Sequence, residues 1–230
     1  MPFPSPDIGL FLTGDGSSTL RLPTGETYRS RHGALQESRH VFIESGLKYC
    51  VGQLTAQPIR ILEVGLGTGL NVLLTAAHAQ QNPQVVCQMV SLEPTPVSLE
   101  LVNLLHYPSL IGGDAAQHLQ IVHTGPWNEM LPILPNFNFQ KVNQPLADYQ
   151  SIGESFDLVY FDAFAPRSQP ELWGEASLAT LAQWLKPGSV LVTYCAQGQF
   201  RRNLRAVGFV VERPIGPPGK SEMTRAIYQP

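Results

Sequence analysis

From position 59 onward the chain alternates short, almost wholly apolar runs with longer stretches in which apolar residues recur every three to four positions. The runs at 59–64, 85–92, 156–161 and 190–194 read as strands buried on both faces, and 70–79 carries the helical period. Strands alternating with helices predict an α/β fold with a mostly parallel sheet. Pro187 and Gly188 predict a turn into the 190–194 strand, and 208–213 with 224–229 predict a closing antiparallel pair.

Upstream the texture changes. Residues 33–47, GALQESRHVFIESGL, place Leu35, Val41, Phe42 and Leu47 at the spacings of an amphipathic helix, with Glu37, Arg39 and His40 on its polar side. Residues 1–30 are rich in Gly, Ser, Thr and Pro, and the alternation at Thr19, Leu20, Arg21 and Leu22 predicts an edge hairpin. Residues 1–58 thus read as a hairpin-and-helix appendage on a core at 59–230, the whole of 1–230 forming one domain. The stretch 104–155 fits least well, being crowded with Pro, Asn and Gln. It predicts one short helix near 114–120 and a strand near 137–143, and is read as an insertion on the sheet.

Composition narrows the classes. A chain of 230 residues, 43% hydrophobic, can bury roughly 70–75% of its unfolded surface in one core. No apolar run approaches the ~18 residues of a membrane span, and the opening residues 1–4 lack the basic and apolar regions of a signal peptide. The expectation is a cytoplasmic protein without a membrane partner. Cys50, Cys87 and Cys195 are odd in number and far apart, which predicts buried thiols and neither disulfides nor a zinc site. His118 and His123 do not match a metal-ligand spacing, and all six histidines are read as structural or surface, so no metal is expected. A net charge of -3 argues against a nonspecific polyanion binder but leaves room for a local basic face.

Candidate chemistry concentrates at strand ends. The segment ILEVGLGTGLN at 61–71 runs a strand into Gly65, Gly67, Thr68 and Gly69 and then a helix, at the edge where α/β sheets bind ligands. A dinucleotide fingerprint would need Gly or Ala at the position held by Leu70. The spacing is instead G-x-G-x-G after an acid, Glu63, which is typical of S-adenosylmethionine sites, where a carboxylate faces the cationic methionine end of the cofactor. An ordinary strand-to-helix turn is the plainer alternative. Glu93 closes the 85–92 strand, where a carboxylate can accept hydrogen bonds from both ribose hydroxyls. Together these features predict a Rossmann-like class I S-adenosylmethionine-dependent methyltransferase fold with an antiparallel C-terminal strand pair.

The third strand ends in Asp162, within FDLVYFDAFAPRSQPELW at 156–173. D-A-F-A-P followed by P-E-L-W resembles the signature of the MnmC-type methyltransferase domain, which acts on a modified wobble uridine of transfer RNA. HGALQESRHVFIESGL, EVGLGTGLN, LKPGSVLVTYCAQGQFRRNLRAVGF and GPPGKSEMTRA agree with that family in order, so the resemblance covers about residues 28–226. It implies that Glu63, the glycine loop and Glu93 hold S-adenosylmethionine, and that Asp162 faces the reacting amine of a 5-aminomethyl-2-thiouridine. Where the family has a Gly-Asp pair near the adenine, this chain reads VNQPLADYQ, with Asp148 as the substitute; where the family often has two basic residues, it has Lys220 and Ser221. The 230 residues leave no room for the family's FAD-dependent oxidase domain, which implies a stand-alone form supplied by a separate oxidase or by the uridine-modifying complex.

The remaining expectations concern the substrate. An alkylammonium holds its proton far more tightly than an ordinary Asp, of pKa about 3.9, so Asp162 is expected to orient the amine and ease proton loss to water. Phe164 and Pro166 are expected to form an apolar wall, and Tyr28, Phe164 or Trp173 to receive the extruded base, although Trp173 and Trp184 also fit the core. Glu37 joins this substrate set, and contacts to the anticodon phosphates are assigned to Arg29, Arg31, Arg39, Arg201, Arg202, Arg205 and Lys220, each equally readable as a solvated charge. Two other classes stay open: a transferase acting on a small-molecule amine or transferring an aminopropyl group, and a noncatalytic module. The aminopropyl reading favours a second acid soon after Asp162, and 163–170 contain none.

Overall fold

Side-chain alternation along doubly buried strands organises the molecule. The computed structural model describes residues 8–53, 58–151, 153 and 155–230, and residues 1–4, read above for a leader, lie outside them. A separate antiparallel hairpin of β1 (Gly9–Leu12) and β2 (Ser18–Arg21) comes first, as the alternation at 19–22 predicts. The helix predicted at 33–47 is a longer helical segment: α1 (Ala34–Ser38), π-helical turns over Arg39–Lys48, and α2 (Tyr49–Gln53). Gly46 permits close approach to the sheet, because a Cβ there would lie 2.9 Å from Val192 Cγ2. Glu37 is not on a solvated side as expected: it is buried, whereas Arg39 is exposed.

The core continues with β3 (Ile59–Val64), α3 (Leu70–Gln81), β4 (Cys87–Leu92), α4 (Leu99–Asn103), α5 (Tyr107–Ile111), α6 (Ala115–Thr124), β5 (Leu131–Leu134) and β6 (Phe137–Val142). It closes with β7 (Phe156–Phe161), a 3-10 turn over Pro170–Trp173, α7 (Glu175–Ala182), β8 (Leu185–Thr193), α8 (Gly198–Ala206), β9 (Phe209–Glu212) and β10 (Thr224–Tyr228). Among the described residues the main sheet has the order β5-β6-β4-β3-β7-β8-β10-β9. The five central strands are parallel, and β5, β10 and β9 add antiparallel edges. The stretch 104–155, expected as an insertion on the sheet, supplies α5 and α6 and two strands of the sheet itself, β6 pairing with β4 along its whole length.

Register explains the two cores. Ile61 lies opposite both Met89 and Leu158, and Leu62 opposite Val90 and Val159. The period of two sends the first set toward Phe42, Val72 and Ala76 and the second toward Trp173, Leu178 and Phe200. Trp173 packs edge-on to Phe161 and Phe200 at 5.0 and 4.8 Å between ring centroids, so it belongs to the core and not to a base-stacking surface. A third cluster, including Leu20, Ala34, Leu70, Leu73 and Tyr107, fastens the N-terminal appendage to α3. Cys50, Cys87 and Cys195 are free, buried thiols, as expected. Among the described residues, no helix is long and apolar enough to cross a membrane.

One arginine closes the C-terminal strands. Arg201 is 4% exposed; its Nε donates to Thr224 Oγ1 at 3.0 Å, one terminal nitrogen to Glu222 at 2.6 Å, and the other to the Met223 carbonyl at 2.8 Å. These bonds clamp α8 to β10 and correct its assignment as a phosphate contact: the side chain is spent inside the fold. Chain direction then locates the crevice. From β3 the chain builds outward through β4 and β6, then crosses back to β7 on the other side of β3, so the carboxyl ends of β3 and β7 flank a topological switch point. Arg201→Met is expected to destabilise the protein by about 2–4 kcal/mol in urea denaturation, because it strands buried acceptors, whereas Arg202→Ala on the exposed side of the same helix should cost under about 0.5 kcal/mol.

Candidate active site

The glycine loop is shaped by how close β7 comes to it. Gly65, Gly67 and Gly69 all have positive φ, at 96°, 51° and 76°. A Cβ on Gly65 would sit 2.8 Å from the Asp162 carbonyl oxygen, so any larger residue there would push the third strand's end away. The amides of Gly65 and Leu66 donate to the Leu92 carbonyl at 3.0 and 3.2 Å, tying the loop to the end of β4. The Gly67 amide donates to Glu93 Oε2 at 2.8 Å, and the Thr95 amide to Glu93 Oε1 at 2.9 Å. Burial raises the Glu93 pKa against the pull of these two bonds.

Of the residues expected to hold the cofactor, Gly65, Gly67 and Glu93 line a cleft of about 1040 Å³ at this edge. Thr68 and Gly69 do not: they lie beneath the loop, where His123 Nε2 is 3.3 Å from the Thr68 carbonyl and a Cβ on Gly69 would be 3.0 Å from the same nitrogen. Asp148 is exposed and off the cleft, while Pro145, Leu146 and Ala147 just before it form the wall. The register of VNQPLADYQ therefore delivers apolar atoms to this wall in place of a carboxylate. Together with Leu92, Val97 and Leu101 they make an apolar slot beside Glu93.

Glu63 departs from expectation in a more informative way. It is fully buried and lies behind the cleft wall, where it accepts from Asn71 Nδ2 at 2.9 Å and from Ser91 Oγ at 2.5 Å. Glu63 is linked to the cleft through a relay, because Asn71 Nδ2 also donates to Asp162 Oδ2 at 2.7 Å. The same Oδ2 accepts from Arg29, whose side chain is 3% exposed against 5% for Asp162. Arg29 is thus an internal ion-pair partner, which corrects its reading as a phosphate contact. Burial pushes Asp162 up to about 6, and Arg29 limits the rise.

The outer cleft gathers most of the substrate set. Tyr28 and Phe164 meet edge-on with centroids 5.0 Å apart, and both line the cleft. Glu37 accepts from the Ser30 amide at 3.1 Å and from Lys220 Nζ at 2.8 Å, and Lys220 also lies 4.0 Å over the Tyr194 ring. Pro166 does not reach the cleft; the wall at that point is Ala163, Phe164 and Ala165, held by Trp173 Nε1 and Tyr194 Oη donating to the carbonyls of Phe164 and Ala163. Arg39 is exposed and away from the cleft. Sequence reasoning missed three contributors. Asn71 is legible only as part of the loop motif, Gln169 braces the Phe164 amide at 2.8 Å, and the exposed Arg167 stands with Arg31 at the cleft mouth. Among the described residues no group of His, Cys, Asp or Glu is placed to hold a metal ion.

Comparison with known proteins bears on this geometry. A family model described as S-adenosyl-L-methionine-dependent methyltransferase matches residues 136–229. Sheet order and glycine loop agree with that match and with the cofactor class expected from the loop, that of the S-adenosylmethionine-dependent methyltransferases. Within that class it is similar to the tRNA 5-methylaminomethyl-2-thiouridine biosynthesis bifunctional protein MnmC of Cupriavidus necator, at 33% identity over 217 residues, 89% of this chain and 32% of that protein. MnmC of Aromatoleum aromaticum is 30% identical over 233 residues, 96% of this chain and 35% of that protein. The chain therefore spans about a third of the length of these curated relatives. The crystal structure of MnmC2 from Aquifex aeolicus superposes with a TM-score of 0.73 at 25% identity, covering 96% of this chain and 70% of that one.

The buried carboxylates give the site a pH signature. Burial pushes Glu63 from 4.5 up to about 8, ahead of the bonds from Ser91 and Asn71 that pull it down. A folded-state pKa above the unfolded value stabilises fully below the unfolded pKa, and that stability is lost as pH rises through the folded one. Melting of the ligand-free protein should fall between about pH 6.5 and 8.5, above the range of Asp162, and Glu63→Gln should flatten the fall. Parallel slopes in the two proteins would contradict the assignment.

Proposed function

We propose that this chain transfers a methyl group from S-adenosylmethionine to the aminomethyl nitrogen of the modified wobble uridine of transfer RNA, giving 5-methylaminomethyl-2-thiouridine. The reading is carried by Asp162, a carboxylate lining the cleft beside the glycine loop in a chain similar over about nine tenths of its length to MnmC proteins. The names of those relatives supply the substrate class, and the reaction then belongs to the cytoplasm, where transfer RNA is modified.

The cleft fits the cofactor on its own chemistry. Glu93 keeps lone pairs beyond its two amide bonds for ribose hydroxyls, the slot of Leu92, Val97 and Leu146 suits a base, and Gly65 and Gly67 leave room for close approach to the backbone. When bound, S-adenosylmethionine supplies a methyl carbon made electrophilic by its sulfonium. Everything else is the work of protein side chains. Asp162 accepts a hydrogen bond from the amine and fixes its lone pair in line with that carbon. Held there, the amine would take the methyl group that the cofactor would supply, and water would take the amine's proton. With a pKa of about 6, Asp162 is too weak a base to hold an alkylammonium proton, so its role is orientation. Tyr28 and Phe164 offer aromatic faces to an extruded base, and Arg31, Arg167 and Lys220 offer charge to the anticodon backbone.

Incubation with labelled S-adenosylmethionine and transfer RNA from a strain lacking this methyl group, followed by nucleoside analysis, is expected to show label in the wobble nucleoside; label elsewhere, or none, would refute the proposal. In the same assay Asp162→Asn should slow single-turnover transfer at least about a hundredfold while changing cofactor affinity only a few-fold.

A further inference from the structure

The reaction as proposed gives Arg29 no task, yet the structure invests heavily in placing it. It follows β2 in the N-terminal appendage, its amide donates to Thr19 Oγ1 at 2.9 Å, and its guanidinium crosses 133 residues of sequence to meet Asp162. It also lies 3.4 Å from Asn71 Oδ1, so Arg29 and Asn71 brace each other while both hold Asp162 Oδ2. Among the described residues no hydrogen bond reaches Oδ1, which leaves that oxygen as the free acceptor on a side chain that lines the cleft.

This asymmetry decides which form of an amine the cleft takes. A bare buried carboxylate would draw in an ammonium and hold its proton, leaving no lone pair to attack. Here the carboxylate has a full cationic partner before any substrate arrives, and a second cation at Oδ1 would face that partner within the same small volume. The other ionisable groups around the pair are Glu63 on β3, Glu37 on α1, Tyr107 on α5 and Tyr194 after β8, with Lys220 from the C-terminal loop on Glu37. Glu63 is already bonded by Ser91 and Asn71, and Glu37 by Lys220 and the Ser30 amide, so neither supplies a spare anion to the amine.

We infer that Arg29 is a positioning residue which, by holding and neutralising Asp162 through Oδ2, makes the cleft accept the substrate's aminomethyl group as the uncharged amine. The ammonium loses its proton to water on entry; an N–H of the resulting amine donates to Oδ1, and the freed lone pair, pointing away from it, is the nucleophile. The inference depends on the reading of an amine as methyl acceptor.

The test is the pH profile of kcat for transfer to an aminomethyl-bearing anticodon stem-loop. With the guanidinium gone, the carboxylate and amine together hold one proton more tightly, whichever atom carries it. Arg29→Gln should therefore move the rising limb to higher pH by about one unit or more, an approximately tenfold loss near neutrality that recovers in alkali. Arg29→Lys, which keeps the charge, should stay within about 0.3 unit of the parent. A uniformly lower or unchanged Arg29→Gln profile would mean that Arg29 only pins the appendage, and would overturn the inference. Should Arg29→Gln fail to melt cooperatively, the decisive measurement uses the parent protein. A stem-loop with a ¹⁵N-labelled aminomethyl group is titrated by NMR when bound with S-adenosylhomocysteine, and its amine pKa should lie at least about one unit below that of the free stem-loop. An equal or higher bound value would overturn the inference. A parent protein that neither methylates nor binds the stem-loop would instead sink the substrate reading, and this inference with it.

Discussion

Burying Arg29 against Asp162 is the constraint around which the rest of the site is arranged. Removing two charges from water costs several kcal/mol for each ion unless geometry and further hydrogen bonds compensate. The compensation here draws in every neighbouring element. Asn71, two residues past the loop, bonds both Asp162 and Glu63, and Ser91 on β4 completes the partners of Glu63. The pair can exist only if the N-terminal appendage is docked, which the apolar cluster of Leu20, Ala34, Leu70 and Tyr107 secures. It also requires β7 and the glycine loop to touch, which the missing side chain of Gly65 allows. The appendage is therefore part of the site and not a decoration on the core.

Three carboxylates at the sheet's carboxyl edge receive three environments, and with them three tasks. Glu93 is tied by two backbone amides and still lines the cleft, which suits a ligand-binding acceptor. Glu63 is sealed behind it, pushed up to about 8, and acts on the cleft only through Asn71. Asp162 has one oxygen braced by a guanidinium and an amide, and the other without a hydrogen bond among the described residues. Identical chemistry at three neighbouring strand ends is thus divided by burial and partner.

Legibility in the sequence followed the range of the interactions involved. The strands at 59–64 and 156–161 have the bounds their apolar runs predict, because burial on both faces writes itself into every position. The strand expected at 190–194 starts back at Leu185, with an irregular register against Phe156 that no local pattern signals. In 104–155 the signal was faint because β6 has the buried pattern of an outer strand, with Asn138 exposed and Gln140 half-buried. Gly65, Gly67, Glu93 and Asp162 were legible since position at a strand end is a local property. Arg29, Asn71 and Arg201 were not, because their partners Asp162 and Glu222 lie 133, 91 and 21 residues away. An arginine beside polar neighbours reads alike whether it meets phosphate or a buried carboxylate. Asp148 failed through register, one residue past the Leu146 and Ala147 that form the wall.

The central claim is spatial: cofactor and amine meet between the glycine loop and the uncommitted oxygen of Asp162. A crystal structure with S-adenosylhomocysteine reads this directly. The account expects the ribose hydroxyls on Glu93, the base in the slot formed by Leu92, Val97 and Leu146, and the sulfur turned toward Asp162 with the Arg29 pair intact. Density placing the sulfur away from Asp162, or the ligand outside this cleft, would contradict it.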